Sequence, residues 1–275
     1  MDRRFLALAI ALLAMTAGRV GTCAYAQEAD EPTPHEQQEA ATERRLLSDI
    51  EAYFTAPVHW DARNWEYFGG TLAAIAVAHE FDGRVRTAFT HDSGNALDSS
   101  NTYDLQDALP AAALFAGTWL YSSIFNDADG RTATGAMAEA AGLSVVTAYA
   151  LQYAAGRERP DQTADPNHWR AGGSSFPSLH VTAAFAVGTV FAESGVEDDR
   201  WLTRLIGYGV ALATSYERLD HNAHWLSDVV AGAGLGASSA VFVLNRTYGR
   251  DNGPHIGLAP LEGGGFLLSY GTTLE

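Results

Sequence analysis

The chain has 275 residues and a formal net charge of −16, because 33 acidic side chains outnumber 17 arginines and no lysine is present. A surface this acidic argues against a nucleic-acid partner, which needs a basic footprint, and it leaves no polybasic patch for anionic lipid. The length suffices for one large domain with a substantial core.

The first 26 residues are typical of a signal peptide. Arg3 and Arg4 precede the apolar run 5–15, which is too short to span a bilayer as a helix. Ala24 and Ala26 offer a cleavage site, and the single cysteine, Cys23, lies before it. We therefore expect an exported protein, periplasmic or secreted, with membrane attachment as the alternative.

The rest of the chain predicts an all-α fold. Residues 27–43 are rich in Glu, Gln, Ala and Pro, which is typical of a flexible leader. A single helical-bundle domain is predicted over 44–250, and residues 251–275 form a tail or a small β-hairpin with strands at 256–260 and 266–270. The predicted helices are 43–54, 66–81, 105–125, 131–155, 179–194, 199–216 and 222–245.

Three stretches of the predicted helices, 108–125, 140–156 and 229–245, carry no charge. Such helices belong either to the centre of a bundle or to a membrane. Their apolar residues are mostly Ala and Gly, which favours a soluble bundle with close helix contacts over an integral membrane bundle. Membrane association therefore stays open.

The first reactive segment surrounds Arg159 and Pro160. Proline disfavours a helix at the residue before it, so Arg159 is predicted at a helix end, from which its guanidinium can reach a cleft. Taken alone, a solvated arginine beside the helix dipole explains this segment equally well.

The second segment is Ser178-Leu179-His180, which leads into an apolar helix. Ser178 is predicted near the N-cap, where free backbone N–H groups and the helix dipole favour an anion. His180 would then lie in the first turn, beside that anion. A capping serine followed by an ordinary helix histidine is the alternative.

The third segment contains Arg218, His224 and Asp228. His224 and Asp228 are four residues apart, so on a helix they share one face. A carboxylate bonded to one imidazole nitrogen leaves the other nitrogen available as a nucleophile or base. This spacing is also common on plain helix surfaces.

Together and in this order, Arg-Pro, Pro-Ser-x-His and Arg-x5-His-x3-Asp resemble the signature of the type-2 phosphatidate phosphatase superfamily. That superfamily includes bacterial non-specific acid phosphatases, lipid phosphatases and vanadium haloperoxidases. The resemblance covers about 152–228 and implies the helical bundle that the periodicity also predicts.

The resemblance implies a role for each residue. His224 would attack phosphorus and become phosphorylated, Asp228 would orient His224, and His180 would protonate the leaving oxygen and then activate water. The phosphoryl oxygens would be held by Arg159, Arg218, Ser178 and the backbone N–H of Leu179. Such groups can position and neutralise a phosphoryl group, so no metal or other cofactor is expected.

Three positions depart from the family's pattern. The family's lysine corresponds to Gln152, which we assign to phosphate binding as a hydrogen-bond donor without charge. Leu179 replaces a glycine and adds bulk, and Glu217 replaces the serine before Arg218 and adds a negative charge. None of these removes the nucleophile, its orienting group or the acid.

The leading function is thus a metal-independent phosphomonoesterase that forms a phosphohistidine and acts on a soluble or lipid phosphate. An integral membrane lipid phosphatase, a vanadate-dependent haloperoxidase and a non-catalytic phosphate-binding protein are the alternatives. A metal hydrolase built on His221, His224 and Asp228 lacks evident further ligands. The sequence does not indicate an oligomeric state.

Overall fold

The computed structural model describes residues 34–92, 104–195, 200–249, 255–260 and 266–271. Side chains are described within 41–90, 105–195 and 200–249. The predicted signal peptide, residues 1–26, lies outside the described residues. The elements are α1 (Pro34–Thr55), a short 3₁₀ helix (Ala56–His59), α2 (Ala62–Asp92), α3 (Asp104–Ile124), α4 (Ala128–Ala155), α5 (Leu179–Ser194), α6 (Arg200–Asp220), α7 (Leu226–Tyr248), β1 (His255–Pro260) and β2 (Phe266–Gly271).

The chain divides into two compact units, Met1–Trp60 and Asp61–Glu275. In the first unit, α1 begins at Pro34, within the stretch that the composition predicts as a leader. Its last turn leads directly into the 3₁₀ helix, which has a proline in its first turn. The second unit holds the bundle and all the residues that the sequence analysis assigns to a site.

In the second unit, α5 is the central helix and packs against α4, α6 and α7. Its inward side is built from small residues without exposed surface, among them Val181, Ala184, Ala186 and Val190. Helix α2 packs on α7, and α3 packs on α4, α5 and α6. The bundle is therefore an all-α architecture, as the helical periodicity predicts.

Glycine sets the spacing between α5 and its neighbours. A Cβ atom added to Gly236 of α7 would lie 2.2 Å from the carbonyl oxygen of Thr182 on α5. On the other side of α5, a Cβ atom added to Gly188 would lie 2.4 Å from the carbonyl oxygen of Gly207 on α6. The Ala and Gly residues that are frequent in the uncharged helices thus allow helix backbones to lie close together.

The prediction of one helix over 222–245 is wrong at its start. Helix α6 continues to Asp220, Asn222 adopts a left-handed backbone with φ of 51°, and α7 begins only at Leu226. The N-cap is Trp225, whose backbone N–H donates to Asp228 Oδ2 at 2.9 Å. His224 therefore precedes the helix that carries Asp228, and the two residues do not share a helical face.

Two short strands lie close to the strand ranges that the sequence predicts, 256–260 and 266–270. Strands β1 and β2 pair antiparallel, with Ile256 opposite Tyr270 and Pro260 opposite Phe266.

Among the described residues, one helix, α7, is long and apolar enough to cross a membrane by length and composition. Half of its most apolar 18-residue stretch is buried inside the bundle.

Candidate functional site

The loop 156–178, which joins α4 to α5, meets the short connection between α6 and α7. Gly156 ends α4 in the left-handed conformation with φ of 57°, and its N–H donates to the Gln152 carbonyl at 2.9 Å. The backbone N–H of Ser178 donates to the carbonyl oxygen of Asp228 at 3.1 Å. The start of α5 is thus fixed against the start of α7, and the three sequence segments come together there.

His224 is buried, and its position is determined by a backbone carbonyl. Its Nδ1 lies 2.8 Å from the carbonyl oxygen of Ser175, whereas Asp228 Oδ2 is 3.7 Å away. A carbonyl oxygen only accepts hydrogen bonds, so Nδ1 carries a proton, and in the neutral imidazole the lone pair is then on Nε2. The group that directly orients the ring is the carbonyl of Ser175.

Asp228 has no exposed surface and accepts hydrogen bonds on both oxygens. Oδ1 accepts from Arg157 Nη1 at 2.6 Å, and Oδ2 accepts from Ser175 Oγ at 2.5 Å and from the Trp225 N–H at 2.9 Å. Burial raises the pKa of the Asp228 carboxyl above its usual value, and the positive charge of Arg157 and these hydrogen bonds oppose the rise. Ser175 therefore contacts both residues: its Oγ donates to Asp228, and its carbonyl oxygen accepts from His224.

Arg157 crosses the centre of this site with no exposed surface. Besides Asp228, it donates through Nη2 to Asp82 Oδ2 at 2.6 Å and to the Pro166 carbonyl at 2.6 Å. Its guanidinium carbon lies 4.4 Å from the ring centroid of Trp169 and 5.3 Å from that of Trp225. This arginine is fully engaged by protein groups, so it does not take the place of the family's lysine.

The start of α5 offers an anion-binding geometry. Ser178 is the N-cap, and its side chain makes no capping hydrogen bond. The Oγ atom is buried and has no partner among the side chains and backbone that the structure describes. The first N–H groups of a helix have no acceptor within the helix, so the start of α5 has the geometry that favours an anion. His180 is buried in this first turn.

Arg218 lies in the last turn of α6 and is fully buried. Its backbone carbonyl accepts the N–H of His224 at 3.2 Å, and its Nη1 donates to Asp107 Oδ2 of α3 at 2.5 Å. His221 Nδ1 lies 3.0 Å from the other oxygen of the same carboxylate. A carboxylate from α3 therefore holds the arginine that the motif assigns to phosphate.

Arg159 follows the C-cap of α4 by three residues and is half-buried. Its carbonyl oxygen accepts from the N–H groups of Gln162 and Thr163 at 3.0 and 3.1 Å, which makes a tight turn. The neighbouring Glu158 carbonyl accepts from Trp225 Nε1 at 2.9 Å. The backbone at Arg159 is thus held beside the residue that follows His224.

Gln152 lies in the last turn of α4 and is 5% exposed. Its Nε2 donates to the carbonyl oxygen of Pro177 at 2.8 Å, one residue before Ser178. The side chain therefore supports the loop that leads into α5. Gln152 thus stands next to the site at the position of the family's lysine. Its side-chain N–H group already donates a hydrogen bond within the protein.

Glu217 precedes Arg218 and is half-buried. Burial raises the pKa of its carboxyl, the negative charge of Asp107 raises it further, and the positive charges of His221 and Arg218 oppose the rise. Glu217, which replaces the family's serine in the third motif, therefore interacts electrostatically with Arg218.

Within the described part of the chain, no group of three or more His, Cys, Asp or Glu side chains could hold a metal ion. Asp228 is occupied by Arg157 and Ser175, and His221 by Asp107. Two of the residues that a metal hydrolase would use as ligands thus have hydrogen-bond or ion-pair partners within the protein.

Three residues of this site carry no motif signal: Asp82, Asp107 and Ser175. Asp82 and Asp107 lie on helices that carry other acidic residues, such as Glu80 and Asp104, so nothing in the sequence distinguishes them from carboxylates on a solvent-exposed face. Ser175 acts through its backbone carbonyl, which any residue type provides, so no sequence pattern could identify that contact.

The fold and the site together define a class of protein: an all-α bundle with a buried histidine, two buried arginines and a helix N-terminus at one end. Residues 133–251, which make up less than half of the chain, match the model of the PAP2 superfamily. The match confirms the resemblance carried by the three motifs. Helices α2 and α3, which supply Asp82 and Asp107, precede it.

A lipid A 1-phosphatase of Porphyromonas gingivalis is 39% identical over 85 residues, which make up 31% of this chain and 17% of the relative. The chain thus matches about a sixth of the length of that relative. No solved structure matches the chain.

Proposed function

We propose that this chain is a metal-independent phosphatase that hydrolyses a phosphate monoester, with a lipid phosphate as the substrate class, through a phosphohistidine on His224. The observation that carries the proposal is the hydrogen bond from His224 Nδ1 to the Ser175 carbonyl at 2.8 Å. With the proton held on Nδ1, the neutral form of the ring has its lone pair on Nε2, and that form is the one in which a histidine can attack phosphorus.

The reaction has two steps. In the first, Nε2 of His224 forms a bond to phosphorus while the bond to the leaving oxygen breaks, and His180 gives that oxygen a proton. In the second, His180 removes a proton from water, the water oxygen attacks phosphorus, and the P–N bond breaks to release phosphate. His180 is buried in the first turn of α5, as a group acting beside an anion at that helix end requires.

The phosphoryl oxygens need positive charge and fixed donors in both steps. Arg218 and Arg159 supply the charge, and Ser178 with the first N–H groups of α5 supplies the donors. Two features support this assignment: Asp107 holds Arg218 in place at 2.5 Å, and the Ser178 Oγ is buried without a partner among the described residues.

The lipid substrate class rests on two observations. The relative from Porphyromonas gingivalis is named for its action on lipid A. In addition, α2, α3 and α6 expose large apolar side chains, and nothing in the described bundle covers them. Examples are Phe68, Leu72, Leu109, Trp119, Tyr121, Phe125, Trp201, Leu205, Leu212 and Tyr216, each more than 40% exposed.

The same surface favours membrane association over a freely soluble periplasmic protein. Many large apolar side chains exposed on helices that contact one another are typical of a surface that meets lipid or another protein. The chain lacks lysine and has an acidic surface, so hydrophobic contact and not charge would have to hold it at anionic lipid. Expression of the full chain followed by alkaline extraction of membranes tests this. Recovery in the soluble fraction without detergent would contradict it.

Phosphate release by the purified full chain tests the activity. Soluble monoesters and lipid phosphates are compared in the presence of a chelator, with His224→Ala as the control. We expect chelator-resistant release that is faster for lipid phosphates and absent in the variant. Phosphate binding without release would support the non-catalytic alternative, and loss of activity with chelator would contradict metal independence.

The role of His180 has its own test, because a general acid matters most when the leaving group is poor. His180→Gln should lower the rate by roughly 10²–10⁴-fold for alkyl phosphates and by much less for a nitrophenyl phosphate. Equal losses for both substrates would mean that His180 only binds.

A further inference from the structure

A chain of buried hydrogen bonds runs from α2 to His224. Asp82 has no exposed surface and accepts from Arg157 Nη2 at 2.6 Å. Arg157 Nη1 donates to Asp228 Oδ1 at 2.6 Å, Ser175 Oγ donates to Asp228 Oδ2 at 2.5 Å, and the Ser175 carbonyl holds His224 Nδ1 at 2.8 Å. Four contacts therefore connect a helix outside the superfamily match to the proposed nucleophile.

Ser227 links Asp82 and Arg157 to the backbone next to Asp228. Its backbone N–H and its Oγ donate to Asp82 at 2.8 and 2.7 Å, and its Oγ accepts from Arg157 Nη1 at 2.8 Å. Because Ser227 is next to Asp228 in sequence, Asp82 fixes both the charge partner of Asp228 and the backbone from which Asp228 extends.

The charges explain why Asp82 is needed. One guanidinium lies between two buried carboxylates, and its position depends on both, since a buried charge is stable only when its partners satisfy it. If Asp82 were neutral, Arg157 would be drawn towards Asp228 alone, and the geometry at Ser175 would change with it. Outer hydrogen-bond partners of this kind orient the groups that touch the substrate.

We propose that Asp82 and Arg157 are positioning residues that hold His224 in the Nδ1-protonated form, so that α2 completes a site whose motifs all lie on other elements. The proposal rests on the proposed function. Neither residue touches the phosphate, so their loss reduces the rate of phosphoryl transfer and leaves phosphate binding by Arg159, Arg218 and Ser178 unchanged.

Asp82→Asn is the first test, because it removes the charge and keeps the shape. We expect kcat to fall roughly tenfold to a hundredfold, the usual range for an outer-shell partner, with KM changed less than about twofold. Ser227→Ala is the second variant. It removes the hydroxyl link and keeps both charges, so we expect a smaller loss of kcat in the same direction.

Glu193→Gln is the matched control. Glu193 is also a buried carboxylate paired with an arginine, Arg204, at 2.8 and 3.0 Å, but it lies about 21 Å along α5 from Leu179. A purely structural role for Asp82 predicts that both variants lose similar stability and leave kcat per folded molecule unchanged. That result would overturn the proposal.

A spectroscopic measurement separates this proposal from the proposed function. In protein labelled with ¹⁵N-histidine, the imidazole shifts of His224, assigned with His224→Gln, report which ring nitrogen carries the proton. We expect Nδ1 protonation in the wild type and in Glu193→Gln, and a mixture of tautomers in Asp82→Asn and Ser227→Ala. This readout is valid even if the chain releases no phosphate. Unchanged tautomers in both variants would overturn the positioning role.

Discussion

At the scale of single residues, the site is organised by ion pairs between buried carboxylates and arginines. Asp82 pairs with Arg157 and Asp107 with Arg218, and all four side chains have no exposed surface. Each pair joins a helix that precedes the superfamily match to a segment within it. Removing one partner of a buried pair typically costs about 3–5 kcal/mol, so these residues affect both stability and the site.

Gln152→Lys tests the position at which the family has a lysine. An ammonium group there can still donate to the Pro177 carbonyl, and it adds a positive charge close to Ser178. We expect inhibition by phosphate and by vanadate to tighten several-fold, because even a quarter of about 4 kcal/mol of Coulomb attraction at 4 Å gives that factor. The inhibition constants of wild type and variant are the measurement.

Arg170→Ala is the control for that substitution, since Arg170 is exposed and lies in the loop 156–178, which Gln152 contacts at Pro177. Its removal should leave both inhibition constants unchanged. An unchanged constant in Gln152→Lys together with a weakened one in Arg170→Ala would show that Arg170 supplies the missing charge.

Glu217→Gln tests the acidic residue before Arg218. The folded state raises the pKa of Glu217, so the folded protein binds its proton more tightly and loses stability as the pH rises from about 4 through that raised pKa. Glutamine removes this loss. We expect the variant to be more stable at pH 7.5 by less than about 1 kcal/mol, because half-exposed charges are screened.

Denaturation of wild type and Glu217→Gln at pH 4 and pH 7.5 measures the effect. The difference between the two proteins should shrink at pH 4, where the carboxyl is protonated in both states. A variant that is less stable than wild type at pH 7.5 would contradict the electrostatic explanation.

At the scale of elements, the packing of α5 between α6 and α7 places Ser178 against Asp228. The contact depends on glycine at Gly232 and Gly236, because a Cβ atom at either position would meet α5 at 2.7 or 2.2 Å. Two backbones that approach this closely leave no space for a methyl group.

Gly236→Ala should therefore separate α5 from α7. We expect a loss of about 1–3 kcal/mol, the usual cost of overpacking, and a fall in activity because Ser178 moves relative to Asp228. Gly209→Ala on α6 is the matched control, since nothing lies within 4 Å of the added Cβ atom. That substitution should stabilise the protein by about 0.4–1 kcal/mol. Equal melting temperatures for the two variants would contradict this prediction, because α5 and α7 would then accommodate the added methyl group without loss of stability.

At the scale of the whole molecule, the sequence predicted most of the fold because the helices are long and their boundaries carry Gly, Pro or charged residues. It missed the boundary near His224, where the left-handed Asn222 and a cap formed by Trp225 and Asp228 interrupt an otherwise helical pattern. The motifs identified the residues that meet at the ends of α5, α6 and α7. They could not identify Asp82 or Ser175, because contacts across 145 and 49 residues leave no local pattern.

The distribution of polar and apolar groups also becomes clear only for the whole bundle. Composition favoured a soluble bundle, yet α2, α3 and α6 expose large apolar side chains along their lengths. Most of the buried charges of the bundle lie instead around His224, and the buried Glu193 near the other end of α5 is an exception. This arrangement fits a site that meets a phosphate head group while its surroundings contact acyl chains.

The central claim is that His224 carries the phosphoryl group during turnover. The most direct test is to incubate the full chain with a ³²P-labelled lipid phosphate, to stop the reaction within one turnover, and to examine the protein for bound label. We predict label that is stable in base and lost in acid, located on the peptide containing His224, and absent from His224→Ala. Full turnover by His224→Ala, or label on another residue, would contradict the account.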